Sequence, residues 1–214
     1  SLTAQWYYQQ RTHEIPVGAY ATLFDDPGTR FTDQRFMSEV RFEPQLTRNL
    51  RLFARASANH YKSRETFAAP DGPGGEDYTG TWFGGEARVV YTPFETLRLT
   101  LGGEGQHNPE ASLFGYTEQP GGSGAGAGSG SELERDIYVD EQHPYSSGAV
   151  YALAEGSPLS WLHFSAGARV DIYSTIGAVV VPRAAVIFKP APGHALKLMG
   201  GRAFRAPSIY EQFY

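Results

Sequence analysis

Residues 161–214 read WLHFSAGARVDIYSTIGAVVVPRAAVIFKPAPGHALKLMGGRAFRAPSIYEQFY. From Leu162 to Ile172 every second residue is apolar: Leu162, Phe164, Ala166, Ala168, Val170 and Ile172. Between them stand His163, Ser165, Gly167, Arg169 and Asp171, none of them a large hydrophobe. Alternation with a period of two marks a β-strand with one apolar and one wet face. Average soluble strands run about five or six residues, whereas a tilted strand of about nine to eleven residues crosses a bilayer.

Working outward, the same alternation returns. Leu2, Ala4, Trp6 and Tyr8 oppose Thr3, Gln5, Tyr7 and Gln9 in a strand over 1–12. Phe36, Val40 and Phe42 oppose Glu39, Arg41 and Glu43 over 33–43. Leu52, Ala54, Ala56 and Ala58 oppose Arg51, Arg55, Ser57 and Asn59 over 50–64. Segments 81–91 and 96–106 pair as a hairpin, with Leu97, Leu99 and Leu101 against Arg98, Thr100 and Glu104. Further strands are expected over 146–155, 161–174, 181–189 and 195–204, about nine in all. Loops are expected over 13–32, 65–80 and 107–145, where Gly, Pro and Asp gather. Within the last of these, GGSGAGAGSGS at 121–131 reads as a flexible loop that contacts nothing specific.

Four short turns share a grammar: a Pro, a few residues, then hydrophobe, basic or His, hydrophobe. They are Pro44 with Leu50-Arg51-Leu52, Pro93 with Leu97-Arg98-Leu99, Pro158 with Leu162-His163-Phe164, and Pro190 with Leu196-Lys197-Leu198. The other connections are expected to be longer. Short turns at one end and long loops at the other match an outer-membrane barrel.

Composition is compatible with that. The 214 residues include 25 Gly and 14 Pro but no Cys, with a net charge of −5. Without Cys, disulfide scaffolds and Cys-ligated zinc are excluded. Mild acidity gives no reason to expect nucleic acid. No apolar run reaches the roughly twenty residues of a membrane helix, and no signal-peptide pattern opens the chain. A negative mean hydropathy does not exclude a barrel, because half of each strand faces water inside.

The search for reactive constellations finds none. There is no Gly-x-Ser-x-Gly elbow, no His-Glu-x-x-His and no EF-hand spacing. The six histidines are scattered. Asp25-Asp26 and Glu76-Asp77 are expected in loops, where solvated charge is a better reading than calcium. No enzyme, no metal and no cofactor is expected. The wet face carries the informative residues: Arg41, Arg51, Arg55, Arg88, Arg98, Arg169, Arg183 and Lys197, with Glu39, Glu86, Glu104 and Asp171 among them. In a barrel these point into the lumen, since Arg or Lys at the lipid midplane costs about 2–4 kcal/mol. They either pair across the wall and hold shape, or guide an anionic ligand or a moving plug. The aromatics Tyr78, Trp82, Phe114, Tyr116 and Tyr138 are candidates for a loop platform that meets a bulky ligand.

Three motifs in order carry a resemblance. Gly167, Arg169 and Asp171 close one strand, and Pro182-Arg183 follow in the next. Phe204-Arg205-Ala206-Pro207-Ser208 then close a third, with Glu211 and Tyr214 after it. This arrangement resembles the barrel of TonB-dependent outer-membrane receptors. The resemblance is sharp in the last quarter of the chain and one of pattern upstream.

It implies an all-β fold: part of a transmembrane antiparallel barrel of about 22 strands with a plug in its lumen. The chain would then be a fragment of that barrel, without the plug and the later strands. Implied activity is active uptake of a bulky scarce solute, foremost an iron–siderophore chelate, across the outer membrane of a Gram-negative bacterium. Implied partners are outer-membrane lipid, a TonB-type energy-coupling protein acting through the plug, and a siderophore-like small molecule. Cobalamin or oligosaccharide uptake, a passive porin-like barrel, a membrane hydrolase and a soluble β-sandwich are the competing readings. The motif at 204–211 reads as a structural rim first and as a ligand contact second.

Overall fold

The computed structural model describes residues 1–16, 18, 21–120, 133–208 and 211–212. The expected Gly/Ser loop and Tyr214 lie outside the described residues. Strands are β1 (Leu2–Glu14), β2 (Arg30–Phe42), β3 (Gln45–Thr47), β4 (Leu50–Phe67), β5 (Gly74–Phe94), β6 (Leu97–Pro120), β7 (Leu133–Gln142), β8 (Tyr145–Leu159), β9 (Leu162–Tyr173), β10 (Gly177–Ala191) and β11 (His194–Gly201). They form one antiparallel sheet in the order β1-β2-β4-β5-β6-β8-β9-β10-β11, with β3 on β4 and β7 on β6. The nine strands on that path are those the alternation predicts; β3 and β7 are the additions. Among the described residues β1 and β11 each have one neighbour, so both outer edges are bare.

No second layer packs on this sheet. The substantial contacts between strands are all between ladder neighbours. Among the described residues the buried apolar side chains are Leu113 and Ala149 alone. Leu101, Val150, Ile172 and Leu198 are 64%, 59%, 56% and 74% exposed. In β5 the pattern from Phe83 to Tyr91 alternates strictly, with Phe83, Val89 and Tyr91 exposed and Glu86, Arg88 and Val90 half-buried. Large side chains shed to the outside and charges held inside invert the order of a water-soluble sandwich.

The outer apolar run of β4 extends from Leu50 to Ala58, roughly 25 Å along a strand. That is the scale of the apolar band of an outer-membrane barrel, about 25 Å. Above Ala58 the same face turns polar, with His60, Lys62, Arg64 and Thr66. His60 Nδ1 lies 2.9 Å from Thr81 Oγ1, which donates to Glu110 at 2.6 Å.

The loop expectations need correction. Residues 65–80 shrink to a connection over 68–73, and Glu76, Asp77 and Tyr78 stand on β5. Most of 107–145 is strand, since β6 runs on to Pro120 and returns as β7. Tyr116, Thr117, Ile137 and Val139 are strand formers that outweigh nearby Gly and Pro. Asn108 and Pro109 together oppose Trp82, a bulge between Thr81 and Phe83 where a proline without an N–H fits. The β9–β10 connection, Ser174–Ile176, is only one residue longer than the two-residue turns at the opposite end. The tall end therefore carries both the rising hairpins of β4, β5, β6 and β7 and the fifteen-residue connection 15–29 between β1 and β2, where the sequence predicts a loop.

Glycine has a defined use at two positions. A Cβ on Gly102 would collide with the ring of Tyr151, its ladder partner, and one on Gly156 with Phe164. An aromatic laid over a glycine on the next strand fills the gap in a single-layer wall.

Candidate functional site

Ladder register places every charge of the wet face on one side. Arg41 faces Arg55, Arg55 faces Glu86, Glu86 faces Glu104, and Glu104 faces Ala149. Ala149 faces Asp171, and Arg169 faces Tyr151 and Val181. Arg88 follows Glu86 on this face, Arg98 faces Glu155, Arg183 faces Gly167 and Gly201, and Lys197 faces Ile187. Residues from β4 through β10 line one concavity of ≈ 670 Å³ on this side.

The site divides into two tiers. In the first, Arg55 joins Glu39 at 3.5 Å to Glu86 at 3.2 Å, and Arg88 reaches Glu86 at 3.5 Å. The Tyr151 hydroxyl donates to Glu86 at 2.8 Å. Arg41 pairs with Glu39 at 2.9 Å. Arg169 pairs with Glu104 and reaches Asp171 at 2.8 Å. The Arg88 guanidinium also sits 4.1 Å from the centroid of Phe53, a cation–π contact. Each carboxylate here is shared between strands or answered on its own, so this tier ties the wall together. In the second tier, Arg98, Arg183 and Lys197 form no ion pair among the described residues, and neither do Arg48 and Arg51.

The 204–211 motif closes on itself. Arg205 donates to both carboxylate oxygens of Glu211, at 3.1 and 2.7 Å. The Ser208 N–H donates to Glu211 at 2.7 Å, and the Glu211 N–H donates to Ser208 Oγ at 3.2 Å. Ser-x-x-Glu with both bonds made is a capping box, and Glu211 and Gln212 are helical. Hydrogen bonds from Arg205 and then from the Ser208 backbone hold the Glu211 carboxyl down at about 2. The Phe204 ring packs against Tyr173 in a tilted contact, centroids 6.0 Å apart, pinning the segment to β9. Pro207 contributes its carbonyl to Gln212 Nε2 at 3.0 Å, and Ala206 is half-buried.

The five aromatics do not form one platform, and Tyr78, Phe114, Tyr116 and Tyr138 stand on strands rather than loops. Trp82, Tyr78 and Tyr138 lie on the arginine side, where the Tyr138 hydroxyl donates to Glu76 at 2.6 Å and that of Tyr78 donates to the same carboxylate. Phe114 and Tyr116 face the other way, 5.9 Å apart, with Arg135 4.5 Å from the Tyr116 ring. Sequence reading missed Glu76 as the acceptor of two phenols, and Glu65 directly opposite it. Burial, then the charge of Glu76, pushes the Glu65 carboxyl up. The period-two pattern of Glu65, Ser63 and Tyr61 was the available signal. Among the described residues no group of three or more His, Asp or Glu could hold a metal, and no helix is long and apolar enough to cross a membrane.

A family model described as TonB dependent receptor-like, beta-barrel, matches residues 1–214. No curated protein matches the chain.

Proposed function

The chain belongs to the TonB-dependent receptor β-barrel family, and from that membership we propose that it is part of the wall of a larger plugged barrel importing a bulky scarce solute. Transport across the outer membrane in general follows from the family. An iron–siderophore chelate is the solute that best fits a barrel built for scarce cargo. On this reading the concave face is the lumen wall, and the convex apolar face meets lipid. A plug outside this chain closes the bore and is moved by a TonB-type protein that couples uptake to inner-membrane energy.

The observation that supports it is the single-layer wall, with ion pairs stitched across its concave side and large hydrophobes bare on its convex side. The wall residues bind and orient: Arg55, Arg88 and Arg169 hold strand register and leave the bore polar. The test is uptake by cells carrying the full-length receptor, with ferric siderophores, cobalamin and oligosaccharides compared. Saturable iron-chelate uptake that stops when the energy-coupling protein is deleted is expected. Passive conductance with no saturable binding would contradict the reading.

A further inference from the structure

We propose that the ladder between the tops of β4 and β5 is a proton-operated seam in the tall rim, drawn together when Glu65 is protonated and loosened when Glu65 and Glu76 are both ionised. These two carboxyls are direct ladder partners on the concave side. Glu65 lies roughly 24 Å along β4 from Ala58, outside the membrane-spanning part. The neighbouring pair, Arg64 and Asp77, faces the convex side and is joined by two hydrogen bonds, at 2.9 and 3.4 Å. An attractive pair thus holds the outer face of the seam, and a like-charged pair opposes closure on the inner one.

Glu76 is held in place. Tyr138 on β7 passes over Gly115 on β6, where a Cβ would collide with its ring, and its hydroxyl donates to Glu76 Oε1 at 2.6 Å. The Tyr78 hydroxyl donates to Oε2. Glu65 receives only Ser63 Oγ at 3.4 Å among the described residues, and that hydroxyl also reaches Asp33 at 3.2 Å. On β2, Phe31 stands opposite Glu65, with Asp33 on the same face; on β1, His13 stands opposite Phe31, and Arg11 is bound to Asp33 at 2.8 Å. Tyr61 donates to the same Asp33. The charges acting on Glu65 are Glu76 and Asp33, both negative. Burial, then Glu76, raises the Glu65 carboxyl above its ordinary 4.5. The closed seam is therefore favoured in full below the ordinary value, and the advantage is lost as pH rises through the raised one. Each side of the seam is tied to its own neighbours. On one, the Leu23 N–H donates to the Ala68 carbonyl and Thr66 Oγ1 to the Gly28 carbonyl, both at 2.8 Å, so the β1–β2 connection rides on β4. On the other, Tyr138 binds β7 to β5, and the Glu118 N–H binds β6 to the Pro73 carbonyl at 2.7 Å. Loosening the seam lets the β1–β2 connection move against β7.

The test uses the full-length receptor in lipid bilayers, in a cysteine-free background carrying Phe24→Cys on the β1–β2 connection and Gln142→Cys on β7, both exposed and spin-labelled. Label-to-label distance distributions are measured from about pH 8 to about pH 4, a range that brackets the titration of a raised carboxyl. The broad, open component should shrink as pH falls, by about 1.5- to 5-fold, the weight of one like-charged ladder pair. Glu65→Gln, which keeps the volume and removes the charge, should show the narrow distribution at every pH. Glu95→Gln, in the β5–β6 turn at the opposite end of the sheet, should keep the parent's course. A parent distribution that ignores pH or broadens as pH falls, or a Glu65→Gln variant that titrates like the parent, would overturn the seam. Heat-modified gel mobility checks that each variant is folded, and the parent's own titration decides the matter if Glu65→Gln is not. Uptake does not enter the readout, so the seam and the transport reading stand or fall separately.

Discussion

At Arg169 the guanidinium reaches Glu104 and Asp171 on the concave side, while the next side chain, Val170, turns to the convex side with Val150 and Val180 as its ladder partners. This one-residue phase gives the sharpest substitution pair. Val170→Arg places a charge in the apolar band at about 2–4 kcal/mol near the midplane and should sharply reduce outer-membrane assembly. Arg169→Ala leaves Glu104 and Asp171 to a polar bore and should assemble with a modest loss. Heat-modified gel mobility reads both, and equal behaviour would contradict the phase. Glu211 gives a pH-dependent counterpart. Its carboxyl titrates at about 2 in the folded chain, below the ordinary 4.5. Its stabilising contribution is therefore complete above the ordinary value and is lost as pH falls through the folded one. Arg205→Ala should raise its titration toward the ordinary range, visible by carboxyl-carbon NMR. An unchanged midpoint would mean that the Ser208 N–H, and not Arg205, dominates.

Among the elements, the tall hairpins of β4, β5 and β6 hold two further tests. Glu65 and Glu76 are direct ladder partners, and like charges facing each other oppose strand pairing by about 0.2–1 kcal/mol. Since the Glu65 pKa is raised, folding favours its protonated form, and stability drains away as pH rises through the folded value. Glu65→Gln should slow amide exchange in this hairpin at neutral pH by up to severalfold, with no effect once Glu65 is protonated. Gly102→Val should displace the Tyr151 ring, break its hydrogen bond to Glu86 and cost about 1–3 kcal/mol, as overpacking does; a lowered heat-modification midpoint is the readout.

The lower halves of these strands were legible because Leu97, Leu99 and Leu101 alternate cleanly with Arg98 and Thr100. The upper halves were not, because Glu76, Tyr78, Tyr116 and Ile137 lie above the apolar band, where neither face needs hydrophobes. Gly74 and Gly75, which follow directly on the true connection at Gly72 and Pro73, extend its loop-like composition into β5. Ion-pair partners such as Arg55 with Glu39 and Glu86 depend on register between distant strands, which no local pattern specifies. The Arg205–Glu211 bond was within reach, since Ser-x-x-Glu is itself a capping signal.

For the molecule as a whole, an open single-layer sheet with no apolar interior is stable only if its convex face meets something other than water. A bilayer supplies this for the band from Leu50 to Ala58, and further strands would cover the bare edges of β1 and β11. The central claim is the orientation of the wall. Its most direct test places a spin label at each position from 163 to 172 in turn, in the full-length receptor reconstituted into lipid, and measures collisions with oxygen and with a water-soluble nickel chelate. Oxygen accessibility should peak at 164, 166, 168, 170 and 172, with nickel-chelate accessibility peaking at the positions between. Oxygen maxima at the odd positions, or labels at 164 and 170 shielded from both reagents, would contradict it.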